Sequence, residues 1–184
     1  MKRITTLVIL LCISFLITSC DRDDCKDCKE KTETGNVQIG DVLPDFSVKL
    51  SSGDIIDRKS LEGKISVILF FSTTCPDCRA LFPSIERIYK ENKDNEKFIF
   101  LAIGRAQSED VVRTFMEENN YTFPYSPQET RDIYDLFAPS IVPRVYISNS
   151  KTTVEEVFID NPLATYDEMK DIIDKLIEEL CCKA

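Results

Sequence analysis

Seven consecutive residues, Ile65-Ser66-Val67-Ile68-Leu69-Phe70-Phe71, form a nearly continuous apolar, β-branched and aromatic run. Such a run predicts a central strand buried on both faces, the kind found in sheets covered by helices. It leads directly into Ser72-Thr73-Thr74-Cys75-Pro76-Asp77-Cys78. Beyond the cysteines, Leu81, Ile85, Ile88 and Tyr89 recur at helical spacing, so an amphipathic helix is expected to about Glu91. Pro83 is expected to kink it. Strand, cysteine pair and helix follow one another without a break. The pair therefore stands at the end of a buried strand and on the N-terminus of a helix.

The rest of the chain fits around that unit. Phe46, Val48 and Leu50 alternate along Asp45–Leu50 as on a half-buried strand, and Ile55-Ile56 could return after the Ser51–Asp54 turn. Phe98–Ile103 reads as a second buried strand, closed by Gly104. Ser108, Glu109 and Asp110 mark a helix start, with Val111, Val112, Phe115 and Met116 as its apolar face. A short helix is expected over Asp132–Phe137, then strands over Val145–Ile147 and Val154–Ile159. A closing helix is expected over Tyr166–Leu180, with Met169, Ile172, Ile173, Leu176, Ile177 and Leu180 facing inward. Alternating strands and helices predict an α/β architecture, and the closing hairpin makes its central sheet mixed.

Composition narrows the chemistry. The chain has no histidine, which removes the commonest general base and transition-metal ligand. Ser-His-Asp and Cys-His catalysis are excluded with it. Its 32 acidic residues outnumber 23 basic ones, so no basic nucleic-acid footprint exists and no nucleic-acid partner is expected. Eight cysteines are the main lead.

A helix N-terminus favours thiolate, because its free N–H groups and positive dipole end face the sulfur. Pro76 suits the first helical turn, where its missing N–H had no partner. Two intervening residues let both sulfurs meet within one turn. Cys75, the outer thiol, would attack a substrate disulfide, and Cys78 would resolve the mixed disulfide. Asp77 should partly oppose the thiolate. Zinc coordination or a purely structural disulfide are the competing uses of such a pair, and zinc needs two further ligands.

The N-terminus starts with Lys2-Arg3 and runs apolar from Ile4 to Ile17, as a secretory signal does. Ile17-Thr18-Ser19-Cys20 resembles the bacterial lipoprotein signal, which implies cleavage before Cys20 and a lipid on it. The organisation expected is a signal over 1–19, a flexible acidic tether over 20–36 and a folded domain over 37–184. Cys12 would leave with the signal. Six cysteines would remain besides Cys20, namely Cys25, Cys28, Cys75, Cys78, Cys181 and Cys182. Cys25-Lys26-Asp27-Cys28 is a second such pair, but no strand or helix stands behind it. It is a passive disulfide, free thiols or a relay to Cys75–Cys78. Adjacent Cys181 and Cys182 bridge one another only with strain, so pairing with Cys25 or Cys28 is geometrically easier.

From Ile39 to Leu180 the chain resembles the thioredoxin-like family, especially its extracytoplasmic, membrane-tethered branch. The residues that carry this are Gly40-Asp41-Val42-Leu43-Pro44-Asp45-Phe46, Leu61-Glu62-Gly63-Lys64, Phe70 through Cys78, Pro83 and Val142-Pro143. The resemblance implies a thioredoxin-like fold. Pro83 would be the family's helix-kinking proline, and Pro143 a cis-proline facing the cysteine pair. Val142 would offer backbone hydrogen bonds to an extended substrate peptide.

Three positions depart from the family. Thr74 stands where many members carry Trp, and Leu69 and Leu81 stand where members carry a buried carboxylate. The peroxiredoxin pattern of Pro and Thr before the reactive cysteine falls on Ile68 and Ser72 and is not met. The expected function is a lipid-anchored protein-disulfide oxidoreductase of the cell envelope, acting as reductant or isomerase on envelope protein thiols and disulfides. It would draw on a membrane electron donor and use neither cofactor nor metal. The alternative is a peptide-binding module with a structural disulfide.

Overall fold

The computed structural model describes residues 36–182. The signal, most of the tether, Cys20, Cys25 and Cys28 lie outside them. Seven strands and four helices follow in the order β1 (Ser47–Lys49), β2 (Ile55–Asp57), β3 (Ile65–Phe71), α1 (Pro76–Asn92), β4 (Phe98–Gly104), α2 (Glu109–Glu118), β5 (Tyr125–Pro127), α3 (Asp132–Phe137), β6 (Arg144–Ser148), β7 (Val154–Phe158) and α4 (Tyr166–Cys182). β1 and β2 form a small antiparallel ribbon; the other five strands form one sheet in the order β5-β4-β3-β6-β7. β3 pairs in parallel with β4 and antiparallel with β6, so the sheet is mixed.

β3 is the central strand, and all seven of its residues are buried. Successive side chains point to opposite faces. Phe71 meets Phe82 of α1, their ring centroids 5.2 Å apart. Phe70 faces the other way, onto Tyr134 and Phe137 of α3 at 5.3 and 4.8 Å. One strand thereby anchors both helical layers just before the chain turns to Cys75. Edge-to-face and tilted aromatic pairs of this kind contribute about 0.5–1.5 kcal/mol each beyond their burial.

Three sequence expectations change. The Asp45–Leu50 strand shrinks to Ser47–Lys49, although Phe46, Val48 and Leu50 are all buried as expected. β5 has no apolar run behind it and exists because it adds in parallel to β4. Val111 is 49% exposed. Val112 and Met116, four residues apart, take the row of α2 that faces the sheet and leave Val111 about 100° round the helix. Pro83 lies inside α1, which runs on through it to Asn92.

Candidate functional site

β3 ends at Phe71, and the next four residues form the loop that carries Cys75 to the start of α1. Cys75 is the N-cap residue and Pro76 the first helical residue. Where a cap serine would offer oxygen, Cys75 offers sulfur: the Cys78 N–H donates to Cys75 Sγ at 3.4 Å. The Cys75 thiol donates to the Val142 carbonyl, also at 3.4 Å. The Val142–Pro143 peptide is cis, and the Cys75–Val142 contact brings the proline singled out by sequence beside the cysteine pair. Asp77 is in the first helical turn.

The two thiols differ. Cys75 is half-buried, whereas Cys78 is fully buried among the core residues. Burial pushes the Cys78 thiol well up from its ordinary range; a backbone bond from Ser72 opposes this, and the neighbouring Cys75 adds to it. An outer thiol open to a partner and an inner one kept protonated suit sequential exchange.

No carboxylate supports that inner thiol from the expected places, because Leu69 and Leu81 are buried apolar residues. Among the described residues Glu86 is the one buried acid, and it is engaged elsewhere. It accepts from the Thr122 N–H at 2.9 Å and the Thr122 hydroxyl at 2.7 Å, with Lys90 Nζ at 2.9 Å. Burial opposes its charge, but these bonds prevail and hold the carboxyl below the usual range. Eight residues of helix put it about 12 Å along the axis from Cys78.

The loop itself is tied by residues that sequence reasoning missed. Thr73 is buried. Its N–H donates to Gln107 Oε1 at 2.8 Å, and Gln107 Nε2 donates back to its hydroxyl oxygen at 2.7 Å. Arg79 Nε donates to the Thr73 carbonyl at 2.6 Å. The Arg105 N–H donates to the Phe71 carbonyl at 2.8 Å, extending the β3–β4 ladder past Gly104. Gln107 and Arg105 sit in a polar loop without a motif, so no local signal could have marked them.

Cys181 and Cys182 lie elsewhere, exposed in the last turn of α4. Lys97 Nζ donates to Cys181 Sγ at 3.2 Å. Among the described residues, no group of three or more cysteines and carboxylates is arranged to hold a metal ion. Among the same residues, no helix is long and apolar enough to cross a membrane.

Comparison with known proteins agrees with this geometry. Residues 39–157 match the AhpC/TSA family. The chain is 28% identical over 155 residues to the thiol-disulfide oxidoreductase ResA of Oceanobacillus iheyensis, covering 82% of this chain and 76% of that one. It is 30% identical over 145 residues to the thioredoxin-like protein YneN of Bacillus subtilis, covering 78% and 83%. Among solved structures, a putative protein disulfide isomerase from Bacteroides thetaiotaomicron superposes with a TM-score of 0.70 at 26% identity, covering 78% of this chain and 91% of that one. A reactive-looking dithiol on a thioredoxin-like fold and relatives named for thiol–disulfide exchange converge: the chain belongs to the AhpC/TSA family, in its thioredoxin-like group, and is a protein-disulfide oxidoreductase.

Proposed function

We propose that Cys75 and Cys78 are the redox dithiol of a lipid-anchored enzyme that exchanges disulfides with proteins of the bacterial cell envelope, as reductant or isomerase. The observation that carries this reading is the position of the Cys75 sulfur. It caps the N-terminus of α1, lies 3.4 Å from the Val142 carbonyl, and has the buried Cys78 one turn behind it.

In the reducing direction, the Cys75 thiolate attacks one sulfur of a substrate disulfide. A Cys75–substrate disulfide forms, and the other substrate sulfur leaves as thiolate. Cys78 then gives up its proton and attacks Cys75 Sγ, forming the Cys75–Cys78 disulfide and releasing the second substrate thiol. Val142 and Pro143 present main-chain groups on which an extended substrate segment adds as a strand. Pro76 and Asp77, between the two thiols, modulate their poise. A membrane electron donor returns the pair to the dithiol. Ile17-Thr18-Ser19-Cys20 supports removal of residues 1–19 and lipidation of Cys20, with residues 20–36 as the tether and 37–184 as the folded domain.

The deciding experiment is a redox titration of the full-length protein against dithiothreitol and glutathione buffers, with the state of Cys75 and Cys78 read by peptide mapping. A midpoint at or below about -250 mV identifies a reductant, and one above about -150 mV an oxidant. A pair that never cycles defeats the proposal and leaves a peptide-binding module. For the anchor, globomycin or Cys20→Ser should each leave a larger, unprocessed precursor; normal processing in both cases would remove the lipid from the reading.

A further inference from the structure

We infer that Gln107 is a positioning residue for the nucleophile, holding the Cys75 sulfur on the helix N-terminus through Thr73. The inference rests on Cys75 being the attacking thiol, and goes beyond that reading by naming what fixes it in place.

Thr73 lies two residues before Cys75, and all three of its polar groups are taken. Its N–H and hydroxyl go to the two ends of one side chain, Gln107, at 2.8 and 2.7 Å, and its carbonyl accepts from Arg79 at 2.6 Å. Thr73 and Gln107 are 34 residues apart, so this is tertiary contact and not a local turn. Thr73 is 4% exposed, so water cannot replace a lost partner without rearrangement. A buried N–H left alone costs the full desolvation of the group, more than the net worth of the bond it lost.

The clamp has a firm base. The Gln107 N–H donates to the Gln128 carbonyl at 2.7 Å, and the Gln128 N–H donates to the Gly104 carbonyl at 3.1 Å. The Ala106 N–H reaches the Thr130 carbonyl, and Ala106 adopts a positive φ of 54° that turns the chain there. The loop after β4 is thereby paired on the segment after β5. The amide of Gln107 leaves that paired backbone and grips the loop after β3.

The consequence for the reaction follows from where the sulfur must be. Cys75 Sγ gains from the helix only while it stays over the free N–H groups of the first turn, an effect that fades within that turn. Thr74, immediately before Cys75, is not aromatic, and residues 69 and 81 are leucines. Cys75 makes its own bonds to Cys78, Val142 and Ser72, and the grip on Thr73 adds a restraint from outside the cap that keeps the loop from carrying the sulfur away. Arg79 fastens the same peptide from α1, so loop and helix move together.

The test is a graded series in the full-length, reduced protein. Alkylation of Cys75 by iodoacetamide is followed by peptide mapping at pH 7 and at pH 10, beside a urea unfolding curve. Thr73→Ser keeps the hydroxyl bond and should leave the pH 7 to pH 10 rate ratio within twofold. Thr73→Val loses that bond alone and should lower the ratio about threefold, and Gln107→Leu loses both and should lower it about tenfold. A residue that serves only stability would lower the unfolding midpoint and leave the ratio at the wild-type value in all three variants, which overturns the inference. So does a ratio that falls equally in Thr73→Ser and Gln107→Leu. Alkylation needs no turnover, so a wild-type pair that fails to cycle sinks the proposed function by a separate measurement.

Discussion

Cys75 and Cys78 stand past the C-terminal end of β3, at the N-terminus of α1; Cys181 and Cys182 stand in the last turn of α4, where Lys97 meets Cys181. The Lys97 carbonyl accepts from the Ile65 N–H, so that contact lies beside the first residue of β3. Seven strand residues at about 3.3 Å each separate the two ends by roughly 20 Å. Each pair is two thiols on one helix, yet their settings are opposite. A helix N-terminus favours thiolate and a C-terminus disfavours it. Residues three apart share a helical face, so Cys78 lies behind Cys75; adjacent residues diverge by about 100°. One pair is graded from half-buried to buried, and the other is wholly exposed. Reactivity follows from placement on the fold, not from the count of cysteines.

The largest expected effect separates the two pairs directly. Cys75→Ser should lower the rate of protein-disulfide reduction at least about a thousandfold, as removal of an attacking group does. The double change of Cys181→Ser and Cys182→Ser should leave it within twofold. Equal losses in both would erase the contrast. Cys78→Ser should instead accumulate Cys75–substrate disulfide, visible on a non-reducing gel.

Alkylation sharpens the same contrast without turnover. In the native dithiol protein, iodoacetamide should modify Cys181 and Cys182 freely, and Cys78 more than about a hundredfold more slowly, since burial and a raised thiol range act together. Denaturation should abolish the difference. Comparable native rates at Cys78 and Cys182 would mean that the helix-start pair is not layered as described.

The comparison also shows which parts of the molecule were legible in sequence. The β3–Cys75–Cys78–α1 unit was, because seven apolar residues, a proline at the first helical position and a 3.6-residue period all point the same way. α4 was as well: Met169, Ile173 and Leu176 are buried as the period requires. The Val142–Pro143 pairing with Cys75 was legible only through resemblance, since 67 residues separate Cys75 from Val142. β5 escaped because its three residues draw their strand character from β4. Gln107 and Thr73 escaped for the same kind of reason. A hydrogen bond between loops depends on how two strands end side by side, and neither residue carries that in its neighbours. Asn161–Pro162 is likewise cis with nothing in the sequence to set it apart.

A smaller effect should appear in how α1 is held. Glu86 ties the helix to Thr122, and its carboxyl titrates below the usual range. A depressed folded value means that its stabilisation is complete above the unfolded value near 4.5 and is lost as pH falls through the folded one. Glu86→Gln should therefore cost about 1–2 kcal/mol in urea unfolding at pH 7. The gap to wild type should close as the pH falls below the carboxylate range. A gap that persists unchanged at pH 2.5 would assign the loss to shape, not charge.

The smallest effect belongs to the far end. Lys97 Nζ donates to Cys181 Sγ at 3.2 Å, a polar contact that reaches one of the two C-terminal thiols. Cys181 is exposed and Lys97 half-buried, and a charge-assisted contact at the surface is screened by water and salt. Lys97→Met should therefore slow Cys181 alkylation no more than about threefold at low ionic strength, and not measurably in 0.5 M salt. Cys75 alkylation should be unchanged in 0.5 M salt, because roughly 20 Å of sheet exceeds two Debye lengths there. A tenfold loss at Cys181 that survives salt would mean that the contact is shielded from solvent, and the far pair would then have to be regarded as a second organised thiol site.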